Sequence, residues 1–209
     1  MKKYEKTGYL HHDFKIFHLT DHEMSAYDFH YHDFHKLLFF LSGNVTYCIE
    51  GKSYQLTPGD LVLVRAGEVH RPVIHDTTPY ERMIIYVSPD FAVTSSDKTI
   101  FLNQCFLPDA AMPSNVLHLS GMKERRLLDT MTELVHSFSE DSFANEIYQN
   151  TLFLEFMIHL NRAALSEASM SSTPARNAGW FATMPTERPP RRANPITTFL
   201  AKWGITSRK

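Results

Sequence analysis

Three histidines bracket a series of short, strand-like segments that are separated by tight turns. His30 and His32 precede the first segment, and His70 follows the last one, at the end of Gly67-Glu68-Val69-His70. In a closed β-barrel the ends of such segments can meet in one interior, and barrels of this size hold small ligands. Imidazoles bind zinc, copper, iron or nickel, and they also hydrogen-bond to polar molecules. The stretch from His30 to His70 is therefore the predicted binding site.

Lys36 bears on what this site would bind. On an unbroken strand its side chain projects from the same face as His30 and His32. Its ammonium group donates hydrogen bonds, accepts none, and repels a nearby cation. Beside imidazoles it can hold a carboxylate or a hydroxyl-rich molecule through charge-assisted hydrogen bonds. The predicted ligand-binding residues are His30, His32, Lys36, Tyr47, Arg65 and His70, with Tyr80 and Arg82 as further contributors.

Two other interpretations of the histidines remain open. In one, His30, His32 and His70 bind a divalent transition metal, while Lys36 swings outward. In the other, His30 caps a strand at the surface and His70 is a hydrogen-bonded residue of a turn. The leading interpretation is a site for a polar or anionic small molecule without a cofactor, because Lys36 opposes a cation.

The segments that must position these side chains are mostly β-strands. Runs rich in β-branched and aromatic residues alternate with turn signals such as Ser42-Gly43-Asn44 and Thr57-Pro58-Gly59-Asp60. Their regular spacing predicts an all-β barrel or sandwich. The predicted strands cover residues 14–19, 36–41, 45–50, 53–56, 61–65 and 80–87.

Two helices are predicted to follow the barrel. The first begins after Ser120, a plausible N-cap, and the second runs from Asp141 or Ser142 to about Leu165. The second helix is apolar on most of its surface, so it must be buried on several sides, and a second subunit is the predicted partner. The predicted dimer contacts are Leu127, Met131, Leu134, Ile147, Leu154 and Ile158.

The C-terminal part has a different composition. Residues 166–209 hold seven Lys or Arg, two Glu and five of the 11 prolines, with no lasting helical or strand period. Such sequence buries too little apolar surface to offset chain entropy, which predicts disorder. The predicted division is an arm and barrel over 1–115, a helical dimerisation segment over 116–165, and a disordered tail over 166–209.

Composition excludes some functional classes. The net charge of -2 over 209 residues is unlike that of a chain that binds nucleic acid throughout its length. No apolar run has the length of a signal peptide core or a membrane span, and Cys48 and Cys105 are too few for a disulfide framework. A cytoplasmic protein without a membrane partner is expected.

The order and spacing of these turns resemble the cupin fold, and most closely the sensor domain of AraC-type transcription regulators. The resemblance implies a jelly-roll barrel followed by two antiparallel helices, over roughly residues 10–165. The segments that carry it are His30-Tyr31-His32-Asp33-Phe34, Ile49-Glu50-Gly51-Lys52-Ser53-Tyr54, Leu56-Thr57-Pro58-Gly59-Asp60 and Gly67-Glu68-Val69-His70-Arg71-Pro72.

Three features depart from the pattern of these families. Lys36 stands where the first cupin motif usually has a glutamate, and Arg65 stands where the second usually has a proline. The glutamate would complete a metal site, so its replacement favours a metal-free pocket. AraC-type regulators also continue into two helix-turn-helix units, and residues 166–209 do not have that pattern.

The resemblance implies a small-molecule-sensing and dimerisation domain rather than an enzyme. The expected effector is a sugar or an anionic molecule, and the expected partner is a second copy or a full-length relative in a mixed dimer. Without helix-turn-helix units, this chain alone is not expected to bind a specific DNA site. The alternative is a stand-alone, metal-dependent cupin enzyme, a dioxygenase or isomerase, with a three-histidine centre.

Overall fold

The computed structural model describes residues 4–23, 26–95, 98–107, 114–119 and 121–171. The chain divides into residues 1–173 and 174–209, and the second unit lies outside the described residues, as does most of the predicted tail. The strands are β1 Glu5–Lys6, β2 Phe14–Asp21, β3 His30–Tyr31, β4 His35–Ser42, β5 Val45–Ile49, β6 Lys52–Gln55, β7 Asp60–Val64, β8 His70–Ile74, β9 Tyr80–Val87, β10 Ala92–Ser95, β11 Lys98–Phe101 and β12 Val116–His118. The helices are α1 Gly121–Ser137 and α2 Asn145–Ser171, with a short 3-10 helix at Gln104–Phe106.

Ten of these strands form two five-stranded sheets. One sheet has the order β1-β3-β8-β5-β6 and the other has the order β12-β7-β4-β9-β2, while β10 and β11 form a separate hairpin. All pairs within the two sheets are antiparallel except β1 with β3. The predicted mainly β architecture with two helices after it is therefore confirmed.

Two tight turns depend on backbone conformations that few residues adopt. Glu50 and Gly51 both have positive φ, 47° and 76°, which suits the two-residue turn between β5 and β6. Gly43 has φ of 124°, and a Cβ atom there would lie 3.2 Å from the Cα of Tyr80. The first turn sets the register of the β5–β6 hairpin, whereas the turn at Gly43 carries the chain from one sheet to the other.

The strand β4 has both of its faces covered. Leu37 and Phe39 face a core that includes the buried sides of the two helices, whereas Leu38 and Phe40 face the core between the two sheets. Lys36 has the same parity as Leu38 and Phe40. The alternation therefore directs the lysine into the barrel.

The two helices cover the outer face of the β12-β7-β4-β9-β2 sheet. Leu127, Met131 and Leu134 of α1 are at most 1% exposed and lie in the same core as Leu37 and Phe39. They are therefore buried within the subunit, and the prediction that they contact a second subunit is wrong. The helical spacing correctly marked an apolar face, but that face packs on the chain's own sheet.

Several boundaries differ from the predicted ones. β8 was missed because Pro72 lies within it, and proline normally argues against a paired strand. α2 continues to Ser171, beyond the predicted end at Leu165, because the alanine-containing segment 163–168 favours helix. The predicted N-cap Ser120 lies outside the described residues. Neither described helix has the length and apolar character of a membrane span.

We predict that Asn161 holds the 3-10 segment on α2. Its Oδ1 accepts a hydrogen bond from the Cys105 N–H at 2.9 Å, and its Nδ2 donates to the Leu102 carbonyl at 2.6 Å. Asn161→Ala leaves buried backbone groups unpaired, so it should lower the free energy of unfolding by about 1–3 kcal/mol in urea titrations. The exposed control Asn150→Ala should stay within about 0.5 kcal/mol of wild type, and equal losses would contradict the assignment.

Candidate functional site

A cavity of about 330 Å³ lies inside the barrel. The cavity is partly open to solvent, and the exposed Leu19 lies on its lining. Its size suits a small ligand, and its wall mixes aromatic and aliphatic groups with a few polar ones, as small-molecule sites do. The lining residues are Thr7, Gly8, Leu19, Tyr27, His30, His32, Lys36, Leu38, Tyr47, Pro72, Tyr80, Arg82, Ile84 and Tyr86.

The strand β9 supplies a row of lining residues through its period of two. Tyr80, Arg82, Ile84 and Tyr86 alternate along the strand and all face the cavity. β9 pairs with β4, so that Tyr86 stands opposite Lys36. The alternation brings a guanidinium and an ammonium group into the same interior.

The three histidines form a compact cluster at one side of this cavity. His30 and His70 are direct partners in the pairing of β3 with β8, and their ring centroids lie 4.6 Å apart. The His32 ring lies 5.1 Å from His30 and 5.0 Å from His70. One ring nitrogen from each residue lies within 4.8 Å of the other two.

Each histidine is oriented by a backbone carbonyl. The Nδ1 atoms of His30, His32 and His70 lie 2.8, 2.5 and 3.0 Å from the carbonyls of Asp28, Thr7 and Glu68. A carbonyl only accepts, so Nδ1 carries the proton in each ring. In the neutral rings each Nε2 then presents a lone pair, and those of His32 and His70 are buried without a hydrogen-bond partner.

The turn before β8 places His70 against the other two histidines. The Arg65 N–H donates to Glu68 Oε2 at 2.8 Å, which closes the turn. The Gly67 N–H donates to the His32 carbonyl at 2.7 Å, which ties the turn to the first histidine pair. A backbone hydrogen bond thus joins the turn before His70 to the segment that carries His32.

Burial keeps the imidazoles neutral. It lowers the pKa of His32 to about 4, and together with the charge of Lys36 it lowers the pKa of His70 to about 2. Burial also lowers the pKa of His30. The cluster therefore offers hydrogen-bond acceptors and metal-ligating lone pairs at neutral pH.

Lys36 is a buried cation without a counter-ion. Among the described residues, its ammonium group has no hydrogen bond or ion pair, and its nearest recorded contact is the Tyr47 ring, whose centroid lies 5.7 Å away. Burial, and then the charge of Arg82, lowers the pKa of Lys36 to about 7. The hydroxyl group of Tyr47 is likewise buried without a hydrogen-bond partner.

Arg82, in contrast, is neutralised by a carboxylate. Its Nη2 lies 2.8 Å from Asp21 Oδ2, and its guanidinium carbon lies 4.0 Å from the centroid of the Tyr80 ring. Burial favours the neutral acid of Asp21, but hydrogen bonds from Tyr27 and Arg82 outweigh it and lower the pKa of Asp21. The excess positive charge in the cavity therefore belongs to Lys36.

The N-terminal arm forms one wall of the cavity. The Thr7 N–H donates to the Tyr31 carbonyl at 3.0 Å, and Lys6 forms an ion pair with Asp33 at 2.6 Å. Gly8 lies so close to the ring of Phe34 that a Cβ would stand 3.3 Å from its Cζ. The arm thus contacts the histidine segment directly.

Comparison with known proteins identifies the family. The description of the matching family model is AraC-like ligand binding domain, and the match covers residues 13–157. The chain belongs to this family. A comparison with curated proteins finds no match.

Solved structures give more distant similarities to this AraC-like domain. A cupin protein from Bacteroides fragilis is 19% identical over 42% of this chain and 76% of its own, with a TM-score of 0.33. A cupin family protein from Methanocaldococcus jannaschii is 16% identical over 36% and 70%, with a TM-score of 0.33. A hazelnut vicilin is 16% identical over 37% of this chain and 22% of its own, with a TM-score of 0.34. The predicted mainly β fold class with two following helices is confirmed by the family match and the sheet topology, and not by these three structures.

The AraC-like domain brings together most of the predicted site residues. His30, His32, Lys36 and Tyr47 line the cavity, as do the weaker candidates Tyr80 and Arg82. The His70 ring packs against the rings of His30 and His32. Arg65 does not line the cavity, because its strand ends there and its side chain turns toward Glu68, 4.0 Å away. The structure therefore does not bring Arg65 together with the other predicted site residues.

Other lining residues were missed by sequence reasoning. Tyr86 could have been found, since it continues the alternation of Tyr80 and Arg82 along one strand. Thr7, Gly8 and Tyr27 carry no such signal, because they come from irregular segments that only the tertiary fold brings to the cavity.

The three histidines meet some of the requirements of a metal site. Their Nδ1–H groups are held by carbonyls, which is how metal-binding imidazoles are usually oriented. A tetrahedral zinc ion with bonds of about 2.0–2.1 Å needs ligand nitrogens roughly 3.4 Å apart. The observed spread of up to 4.8 Å therefore has to contract. Lys36 contributes a positive charge where a fourth, anionic ligand would help.

We predict that Lys36→Met stabilises the domain in a pH-dependent way. The lysine pKa is about 7 when folded and 10.5 as an ordinary group, so the unfolded chain binds more protons between these values. The free-energy cost of burying the charged form of Lys36 is greatest below pH 7 and disappears as the pH rises toward 10.5. Lys36→Met should raise the free energy of unfolding at pH 6–7 by a few kcal/mol, with about 5 kcal/mol as the upper limit.

Denaturant titrations at pH 6, 8 and 10 measure this effect, and Lys52→Met is the control at an exposed strand position. The gain from Lys36→Met should shrink as the pH rises, while the control should change little at any pH. A gain that is independent of pH, or a loss at pH 6, would contradict the assignment of Lys36 as an uncompensated buried cation.

Proposed function

We propose that this AraC-like domain senses an anionic or hydroxyl-bearing small molecule in its barrel cavity. The observation that carries the proposal is the ammonium group of Lys36, which faces the cavity and has no counter-ion in the part of the chain that the structure describes. A carboxylate on the ligand would supply the missing charge and accept hydrogen bonds from this group. We further propose that the chain is not an enzyme.

The neighbouring polar groups suit a ligand that also has hydroxyl groups. The Tyr47 hydroxyl and the Nε2 atoms of His32 and His70 are buried and have no hydrogen-bond partner within the described ranges. Neutral imidazole nitrogens accept hydrogen bonds from hydroxyl groups, and the phenol can donate one. A small hydroxy acid or an acidic sugar would therefore satisfy buried groups that otherwise weaken the fold.

Ligand binding can be communicated to both sides of the domain. Lys36 and Leu38 face the cavity, while Leu37 between them packs in the core shared with the helices. Thr7 and Gly8 connect the same cavity to the N-terminal arm. A ligand that fits one arrangement of arm and helices better than another would shift their populations.

We also propose that the domain forms a homodimer through α2. Its inner face is buried in the subunit, but Ile147, Ile158 and Leu165 on the outer face are 69%, 38% and 48% exposed. Leu154, which is half-buried, lies on the same stripe because residues seven and eleven apart share a helix face. These four residues, Ile147, Leu154, Ile158 and Leu165, form the outer stripe of α2. The outer stripe is the proposed interface in place of the predicted one that included α1. A full-length relative could bind the same stripe in a mixed dimer.

Charge at the outer stripe should disrupt this dimer. Ile158→Glu places an unpaired carboxylate in the interface, so it should weaken self-association at least tenfold. Sedimentation equilibrium at micromolar concentration measures the effect, with Thr132→Glu on the exposed side of α1 as the control. A wild-type chain that sediments as a monomer would contradict the proposal.

A sensor of this kind would need elements that read DNA bases in order to regulate transcription, and the described helices do not supply them. α1 and α2 each bury one side in the core beside the sheet. We propose that this chain alone has no preferred DNA sequence, since specific binding requires an element that reads bases in a groove.

The second candidate is a three-histidine metal centre, as in a metal-dependent enzyme. The favouring observation is that His30, His32 and His70 offer ring nitrogens within 4.8 Å of one another, with neutral rings at physiological pH. A metal held there would supply Lewis-acid or redox chemistry. Lys36 counts against it, because its charge opposes that of the ion.

Lys36→Glu should reverse the preference of the site. It removes the proposed partner of an acidic ligand and completes a set of three histidines and a carboxylate. Calorimetry should show at least tenfold weaker binding of an acidic ligand chosen from a panel of small carboxylates and sugar acids, and at least tenfold tighter binding of Zn²⁺. Lys52→Glu, with the same charge change at an exposed position, should alter neither affinity.

Metal analysis of the purified wild-type protein separates the two candidates. Stoichiometric metal that is lost in His70→Ala would overturn the sensor assignment of the cavity and favour the metal centre. A panel of acids and sugar acids that leaves the wild-type unfolding temperature unchanged would also contradict the proposed ligand class.

A further inference from the structure

We propose that Lys36 forms a reversible imine with the carbonyl carbon of a small oxo acid held in the barrel cavity. This inference rests on the proposed function, since it assigns a reactive group to the same acidic ligand. It makes Lys36 a covalent capture residue rather than a simple counter-charge.

The surroundings of Lys36 meet the requirements of an amine nucleophile. The side chain is buried, faces a cavity of about 330 Å³, and has no hydrogen bond or ion pair among the described residues. Without a carboxylate partner the amine is not held in its charged form. The groups that face it are cationic or neutral: Arg82, the three histidines and Tyr47.

The protonation state agrees with this geometry. Burial, and then the charge of Arg82, lowers the pKa of Lys36 to about 7, so a large fraction of the amine is unprotonated at neutral pH. An ordinary lysine has a pKa near 10.4 and is unprotonated to about one part in a few thousand. Desolvation and a neighbouring cation are the two means by which amine nucleophiles are commonly activated.

The reaction needs no oxidant, reductant or cofactor. Nζ attacks the carbonyl carbon, an N–C bond forms, and the carbonyl oxygen becomes the hydroxyl group of a carbinolamine. This hydroxyl leaves as water, so that the oxygen departs with both amine hydrogens and a C=N bond remains. The Tyr47 hydroxyl, buried without a hydrogen-bond partner, can donate to the departing oxygen and be reprotonated from the amine.

The acid group of the ligand can be recognised by Arg82, because its ion pair with Asp21 and its hydrogen bond to the Tyr80 carbonyl use only part of its five N–H donors. β4 and β9 are paired, and Arg82 stands opposite Phe40, further along the strand from Lys36. Both long side chains point into the same cavity. A molecule with its carbonyl at Lys36 and its carboxylate toward Arg82 would span the space between them, which favours oxo acids over neutral aldehydes.

Borohydride trapping of the full chain tests the imine. The protein is incubated with glyoxylate at pH 7 and reduced with sodium borohydride, and the adducts are located by intact mass and peptide mapping. The expected result is one adduct per chain at Lys36, with at least tenfold higher occupancy than at the exposed Lys15 and Lys52. Glycolate, which has the carboxylate of glyoxylate but not its aldehyde group, should compete for the cavity and reduce the labelling.

Adducts at exposed lysines with an unmodified Lys36 peptide would overturn the inference. The wild-type protein suffices for this comparison, so it does not depend on a variant that folds. Arg82→Met adds a second measurement, in which labelling of Lys36 by glyoxylate should fall at least tenfold. Equal labelling in the variant would remove Arg82 from the proposed recognition.

A measurement without borohydride distinguishes this inference from the proposed function. Glycolate should raise the unfolding temperature if the cavity captures small acids non-covalently. A rise without a Lys36 adduct would overturn the imine and leave the sensor proposal intact. If glycolate does not raise the unfolding temperature and no Lys36 adduct forms, the imine is overturned and capture of small acids is contradicted. A Lys36 adduct supports the imine whether or not glycolate stabilises the fold.

Discussion

The burial of Lys36 without a counter-ion is the constraint on which the rest of this domain depends. Its strand, β4, is the central element shared by two cores, and its alternation leaves no solvent-facing side for a lysine. Taking an ammonium group out of water is expensive, and the domain compensates by lowering the lysine pKa to about 7 rather than by pairing it. A buried charge without a partner is tolerated most readily where a ligand can neutralise it. The energetic cost of burying Lys36 and the proposed capacity to bind an anion therefore have the same origin.

The same charge sets the chemistry of the histidines. Their geometry, with Nδ1–H groups anchored on backbone carbonyls, is compatible with metal ligands and with hydrogen-bond acceptors. Lys36 lowers the pKa of all three, after burial in each case, and so acts against any additional positive charge. Under the proposed function, this one position shifts a common donor set from cation binding toward anion binding.

The position of the cavity explains how a ligand can influence distant parts of the fold. β4 carries inward side chains that line the cavity and outward side chains that pack beside the helices. A shift of this strand would therefore move side chains in the cavity and in the core beside the helices. The arm reaches the same cavity through Thr7 and Gly8 and is joined to the histidine segment by backbone hydrogen bonds. Packed cores transmit such shifts because they deform little.

The sequence alone determined most of the long strands, the turns and the family resemblance, because period-two alternation and turn residues act locally, whereas β8 was missed because of Pro72. It also named His30, His32, Lys36 and His70, but the parity argument assumed one unbroken strand. In the structure His30 lies on β3 and Lys36 on β4, which belong to different sheets, so the tertiary fold brings them together. The sequence could not determine which apolar helix face meets the barrel, so Leu127, Met131 and Leu134 were assigned to an interface that the subunit itself fills. Nor could it place Arg65 outside the cavity or Thr7, Gly8 and Tyr27 inside it. Those outcomes depend on which segments pack together across the fold, and only the tertiary structure decides that.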